Sequence, residues 1–304
     1  MCRRFGATGT RTLPLDELSD AIFRFFDYAQ AEWAPALREK IITEMRSLVP
    51  DAPLDSLVGM FFERHEGREA FLKDRAQQTE AFYLIFGSLQ TRVPNALNAL
   101  YTLATHPEAQ DELRAALQTM ETPTGTQQGE QGPGFWPGDC KYLDAVVRES
   151  QRFTPTPTNV KRQVPEGGLQ LGKRFIDSSL CKILIIDIYS ASRNVKYWGE
   201  DAECFSPARW LNQQTVDDAN PAAPKGPGVR DCPAPKGAFL PFGFGKQQCI
   251  GWSYGEVELR TLVGEVVKHL KLAPAATPPT YCLRGPPSGG ISDLMLKVEG
   301  VGCA

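Results

Sequence analysis

Phe242-Gly243-Phe244-Gly245-Lys246-Gln247-Gln248-Cys249-Ile250-Gly251 is the stretch from which the rest of this chain is read. A glycine-rich turn delivers one cysteine to the start of an apolar, helix-patterned segment, 250–270. A helix start carries unpaired N–H groups and partial positive charge, so it favours a thiolate there. Gly245 and Gly251 let the backbone approach a large flat ligand closely, and Phe242 is placed to pack against its face. The bland alternative is a glycine-rich turn with a buried cysteine. The segment alone leaves both readings open.

Working upstream, residues 142–153 carry a helical pattern stopped by Pro155 and Pro157. On it, Glu149-Ser150-Gln151-Arg152 places an acid and a base at i and i+3, one face of the helix. Segment 160–190 reads as short strands with turns at Gly167-Gly168 and Gly172, and Ile183–Tyr189 is its best strand. Phe205-Ser206-Pro207-Ala208-Arg209-Trp210 follows. A long helical pattern runs from about Phe61 to Thr105 with Pro94 inside it, where a kink is expected. His106-Pro107-Glu108 stops it and starts another helix over about 108–119. Residues 15–50 read as amphipathic helices, and 121–139 and 212–237 as Gly/Pro-rich loops. The tail, with a strand over Leu294–Val298, reads as a terminal hairpin.

The decapeptide matches the Phe-x-x-Gly-x-x-x-Cys-x-Gly heme-binding signature of the cytochrome P450 family. Glu149/Arg152 matches the Glu-x-x-Arg of the family's K helix, and 205–210 resembles its Pro-Glu-Arg-Phe segment, all in the family's order. Tyr142–Val147, Asn194–Glu200 and the Pro94-to-His106 spacing extend the likeness from about residue 60 to the end. The resemblance implies a mainly α fold with small β-sheets, a cytochrome P450 fold truncated at its N-terminus. It implies a single partial domain over 1–304 that begins near the family's E or F helix. The anchor, early strands and B–C region would be absent. Segment 183–189 would then lack the strands it pairs with in relatives and present an apolar edge.

The resemblance also implies heme b as cofactor, with Cys249 as the axial iron ligand. Phe242, Gly245, Gly251, Lys246 and Arg162 would form the rest of the heme site, Arg162 at a propionate. Glu149, Arg152 and Arg209 would make a buried three-member network, which must be fully satisfied to be tolerated. The implied activity is monooxygenation of a lipophilic small molecule. Electrons would come from an NADPH-dependent flavoprotein reductase. Fungal relatives suggest a sterol, lipid, terpenoid or polyketide, often in secondary metabolism.

Two departures bear on the chemistry. The long helix reads Gly87-Ser88-Leu89-Gln90-Thr91-Arg92-Val93-Pro94. The family's catalytic acid–threonine pair would fall on Gln90 and Thr91, and a glutamine cannot carry a proton as a carboxyl does. Aligned instead by Pro94 and His106, the segment resembles the steroid 7α-hydroxylase and prostacyclin synthase branch. The missing acid keeps a peroxide-rearranging isomerase open, and the missing N-terminal part keeps a non-catalytic fragment open. Gln247 also stands where relatives have a propionate-binding base, and Trp252 replaces a common arginine; Lys246 would substitute.

Composition removes several other classes. A net charge of −3 over 304 residues gives no basis for phosphate neutralisation by nucleic acid binding. The eight cysteines include no C-x-x-C pair, and the three histidines are far apart, so neither a zinc site nor a disulfide framework is indicated. No apolar run reaches the roughly 18–20 residues of a membrane span. The expected location is cytoplasmic for the chain as it stands. It is the endoplasmic reticulum membrane where the family's N-terminal anchor is present.

Overall fold

The computed structural model describes residues 67–121, 140–211, 237–245, 248–282, 290–292 and 294–301. The expected helices over 15–50 and the loop positions 122–139 and 212–236 lie outside these. The chain divides into two compact units, Met1–Thr91 and Arg92–Ala304. In the first, the expected helix from Phe61 is instead broken: α1 covers Arg68–Lys73 and α2 begins at Arg75. Asp74 is the reason. Its carboxylate accepts the N–H groups of Ala76 and Gln77 at 2.8 and 3.3 Å, capping α2 rather than continuing α1.

Helix α2 (Arg75–Thr105) stays helical across Pro94. Within the second unit its last turns join α3 (Pro107–Glu121), α4 (Lys141–Phe153) and α7 (Trp252–His269) around one core. The side chains are those that helical spacing places on one face. They are Ala99 and Leu103 of α2, Leu113 and Leu117 of α3, and Val146 and Val147 of α4. From α7 come Leu259, Val263 and Val267.

Helix α4 is buried almost all round, polar residues included, so its Glu149, Ser150, Gln151 and Arg152 need internal partners. Cys140 is buried in this core and also serves the backbone. Its Sγ accepts the Leu143 N–H at 3.4 Å and caps α4.

After α4 come β1 (Asn159–Gln163), β2 (Leu169–Leu171), β3 (Arg174–Ile176) and β4 (Ile183–Asp187). They pair antiparallel as β1 with β4 and β2 with β3, giving the expected short strands. The best strand is shorter than its sequence pattern: it ends at Asp187, and α5 occupies Ile188–Ala191. The Asp187 carboxylate accepts the Ser190 N–H and hydroxyl at 2.9 and 2.7 Å, so a local side-chain bond competes successfully with the ladder. Strand β4 pairs with β1 on one side, Ile185 opposite Lys161, and is an edge of that two-stranded sheet. Ile183 and Ile185 remain more than half exposed.

Helix α6 (Val195–Trp198) and a 3-10 turn at Pro207–Trp210 follow. The tail forms two antiparallel pairs, β5 (Leu270–Pro274) with β8 (Leu296–Gly300), and β6 (Thr280–Cys282) with β7 (Gly290–Ser292). The architecture is mainly α with small sheets, as the sequence implied.

One buried amide fastens the tail to the helices. Gln110 donates to the carbonyls of Leu103 and Leu272 at 3.1 and 3.0 Å and accepts the Leu272 N–H at 2.8 Å. Arg114 adds bonds to the Val267 and Leu270 carbonyls, completing the C-terminal end of α7. Gln110→Ala strands the Leu272 groups without water, so it is expected to cost about 1–3 kcal/mol. A urea titration reads this as a lower midpoint with unchanged slope.

Candidate heme-thiolate site

The site rests on Glu149. Its Oε1 accepts from Arg152 Nη2, Arg209 Nε and the Ser206 backbone N–H at 2.8, 3.0 and 2.8 Å. Its Oε2 accepts from Arg152 Nε and Trp210 Nε1 at 2.9 and 2.8 Å. Arg152 has five N–H donors. Two go to Glu149, and the others reach the carbonyls of Ser192, Ala202 and Cys204 at 2.8, 2.7 and 2.8 Å. Both side chains are fully buried and fully satisfied, the condition under which a buried ion pair is tolerated.

Arg209 adds Asp201 at 2.9 Å. Burial pulls its pKa down, but Glu149 and Asp201 outweigh that and hold it above its ordinary value. The expected triad is therefore present. Sequence reasoning missed Trp210, Asp201, the Ser206 N–H and the three carbonyls. The tryptophan stood next to the arginine in the motif and was the one readable sign.

Trp198, Trp210 and Phe239 pack ring on ring, with centroids 4.8–6.2 Å apart. They carry the network to residues 237–245, where the cysteine turn begins. A second charged cluster ties α4 to α7. Asp144 accepts from Arg260 and pairs with Arg148 at 2.8 Å, and Arg260 reaches Glu256 at 3.2 Å. There too burial lowers the arginine's pKa and the acids more than restore it.

In the turn, the Gly243 N–H donates to the Leu240 carbonyl at 3.2 Å and the Gln248 N–H to Gly245 at 3.1 Å. The Cys249 N–H donates to the Phe242 carbonyl at 2.8 Å. Gly251 is the N-cap of α7 with an ordinary φ of −91°. Gly245 has φ +70°, a conformation that disfavours any side chain. Gly245→Ala is expected to lose about 1–2 kcal/mol of stability, read as a lower thermal midpoint, because a left-handed backbone costs a Cβ that much.

The chemistry of the donor set fits a flat iron macrocycle. The Cys249 thiol is exposed, and a Cβ on Gly251 would come no closer to its Sγ than 4.0 Å. A Cβ on Gly245 would meet nothing within 4 Å. Ile250 is 87% exposed and Phe244 46%, so two apolar side chains of the same turn face solvent. The Phe242 ring lies against Gly255 of α7, a contact not anticipated from the motif.

Arg162 sits in β1 opposite Leu184, its guanidinium donating to the Lys161 carbonyl at 2.8 Å. The Thr91 hydroxyl donates to the Gly87 carbonyl of its own helix at 2.9 Å. The Gln90 side chain, Lys246 and Gln247 lie outside what is described.

An accessible cysteine at a glycine-rich turn before a helix, backed by a buried Glu–Arg–Arg network, defines a heme-thiolate scaffold. The chain belongs to the cytochrome P450 family, whose model matches residues 12–290. The family binds heme b. Cytochrome P450 monooxygenase hepC of Aspergillus oryzae is 29% identical over 57% of this chain and 30% of its own length. Cytochrome P450 4d21 of Drosophila melanogaster is 26% identical over 67% and 35%. Cytochrome P450 CYP13A6 of Caenorhabditis elegans is 24% identical over 81% and 47%. The chain thus spans about a third to a half of the length of these curated relatives. Among the described residues no helix is long and apolar enough to cross a membrane.

Proposed function

We infer that this chain holds heme and serves monooxygenation of a lipophilic small molecule. The observation that carries the reading is the exposed Cys249 at the mouth of α7. The word monooxygenase in the Aspergillus oryzae relative's name supports it. Cys249 would hold the iron, with Arg162 and Lys246 toward the propionates. Heme b supplies the oxidising chemistry when bound, the thiolate favouring O–O cleavage.

The protein's own part is to fix the sulfur, through the Phe242 carbonyl and the α7 cap. Electrons come from NADPH through a flavoprotein reductase, and the product takes one oxygen atom from O2 while the other leaves as water. Thr91 would have to leave the Gly87 carbonyl to serve a proton route, and Gln90 cannot carry the proton as a carboxyl would.

The test uses heme-loaded protein with reductase, a lipophilic probe and labelled O2. One labelled atom in the product, strictly dependent on NADPH, is the expected result. Rearrangement of an organic peroxide without NADPH, and no labelled product with it, overturns this in favour of an isomerase. No turnover of any kind by heme-loaded protein leaves the non-catalytic reading.

A further inference from the structure

Gly255 lies one turn into α7, its N–H bonded to the Gly251 carbonyl at 2.8 Å, so it belongs to the turn that directly follows Cys249. A Cβ placed on it would meet Phe242 Cε1 at 3.4 Å and Cζ at 3.9 Å. The Phe242 ring therefore faces the open side of Gly255, where a methyl group has room and a larger side chain does not. The same residue's carbonyl receives the Cys249 N–H at 2.8 Å. Phe242 thus touches α7 with its ring and the cysteine with its main chain, bracing the turn between two points.

We propose that Gly255 is a positioning residue: the size of the seat it offers to Phe242 sets the placement of the Cys249 sulfur. The proposal rests on Cys249 as the iron ligand. A contact at 3.4 Å is ordinary van der Waals distance, so a methyl group fits. A β-branched side chain does not, because its stiff χ1 leaves it unable to turn both γ-groups away from the ring. Helix propensity points the other way. Alanine and valine both favour a helix interior over glycine, so a loss on valine comes from the seat and not from the helix.

The experiment uses the full chain as Gly255→Ala, Gly255→Val and the double variant Gly255→Val with Phe242→Leu. One readout is hydrogen exchange of the Cys249 amide in protein without added heme. The other is the division of the reduced, carbon monoxide-bound heme protein between thiolate-type and non-thiolate absorption bands. Gly255→Ala should match the parent in both. Gly255→Val should speed Cys249 exchange about tenfold and move absorption out of the thiolate-type band. In the double variant, the smaller leucine side chain in place of the phenylalanine ring should restore slow Cys249 exchange.

Exchange and spectrum unchanged in Gly255→Val overturn the proposal. Should that variant fail to fold, Phe242→Ala empties the seat from the other side and must speed Cys249 exchange equally; unchanged exchange there overturns it too. A parent protein with no thiolate-type band at all removes Cys249 as ligand. The exchange arm still decides whether Gly255 seats the turn.

Discussion

Glu149→Ala is expected to remove about 3–5 kcal/mol of stability, the usual cost of breaking a buried pair from one side. Against the roughly 5–15 kcal/mol that holds a typical domain together, this is a large share. The reason is the number of groups left behind. Five donors lose their acceptor at once: two from Arg152, one each from Arg209 and Trp210, and the Ser206 N–H. Arg152 is fully buried and keeps its charge, so it stays in place without a counter-ion. Glu149→Gln keeps the shape but turns one acceptor into a donor facing donors, so it should lose less than alanine and more than a surface change. Urea unfolding of the three proteins ranks them. A Glu149→Ala midpoint equal to the parent's would remove the network from any structural role.

Cys249→Ala is expected to abolish the thiolate-type absorption band of the reduced carbon monoxide complex while leaving the fold intact. No other described cysteine stands in the turn. Cys140 is buried as the cap of α4, the Cys181 thiol donates to the Ile183 carbonyl, and Cys204 lies beside Asp201 in the segment clasped by Arg152. His106 is held elsewhere, its Nδ1 2.7 Å from the Thr102 carbonyl and its ring 4.8 Å from Phe205. The sulfur is exposed, so the unfolding free energy read by urea titration should stay within about 0.5 kcal/mol of the parent, as for an exposed substitution. A band that survives the change would mean a different ligand.

Much of this site was legible because its key residues sit in short, local patterns. Glu149 and Arg152 are three apart on one helix, and the cysteine turn is ten consecutive residues. The partners that make the network tolerable were not legible. Ser192, Ala202 and Cys204 contribute only main-chain oxygens, which any residue has, so no side-chain pattern marks them. The strand ending at Asp187 was misjudged for the opposite reason. Its apolar pattern continues through Ile188 and Tyr189, but one carboxylate turned the backbone. The Gly255 seat was equally silent, since a glycine announces neither what rests on it nor from which side.

Arg152 also fixes a ruler. Its flat cation holds main-chain oxygens at 192, 202 and 204 simultaneously, so the number of residues between those three points is fixed. Within the span Trp198 is needed for its ring, whereas the exposed Lys196 and Glu200 carry no such demand. An inserted or deleted residue between 193 and 201 would unseat at least one oxygen from the clasp.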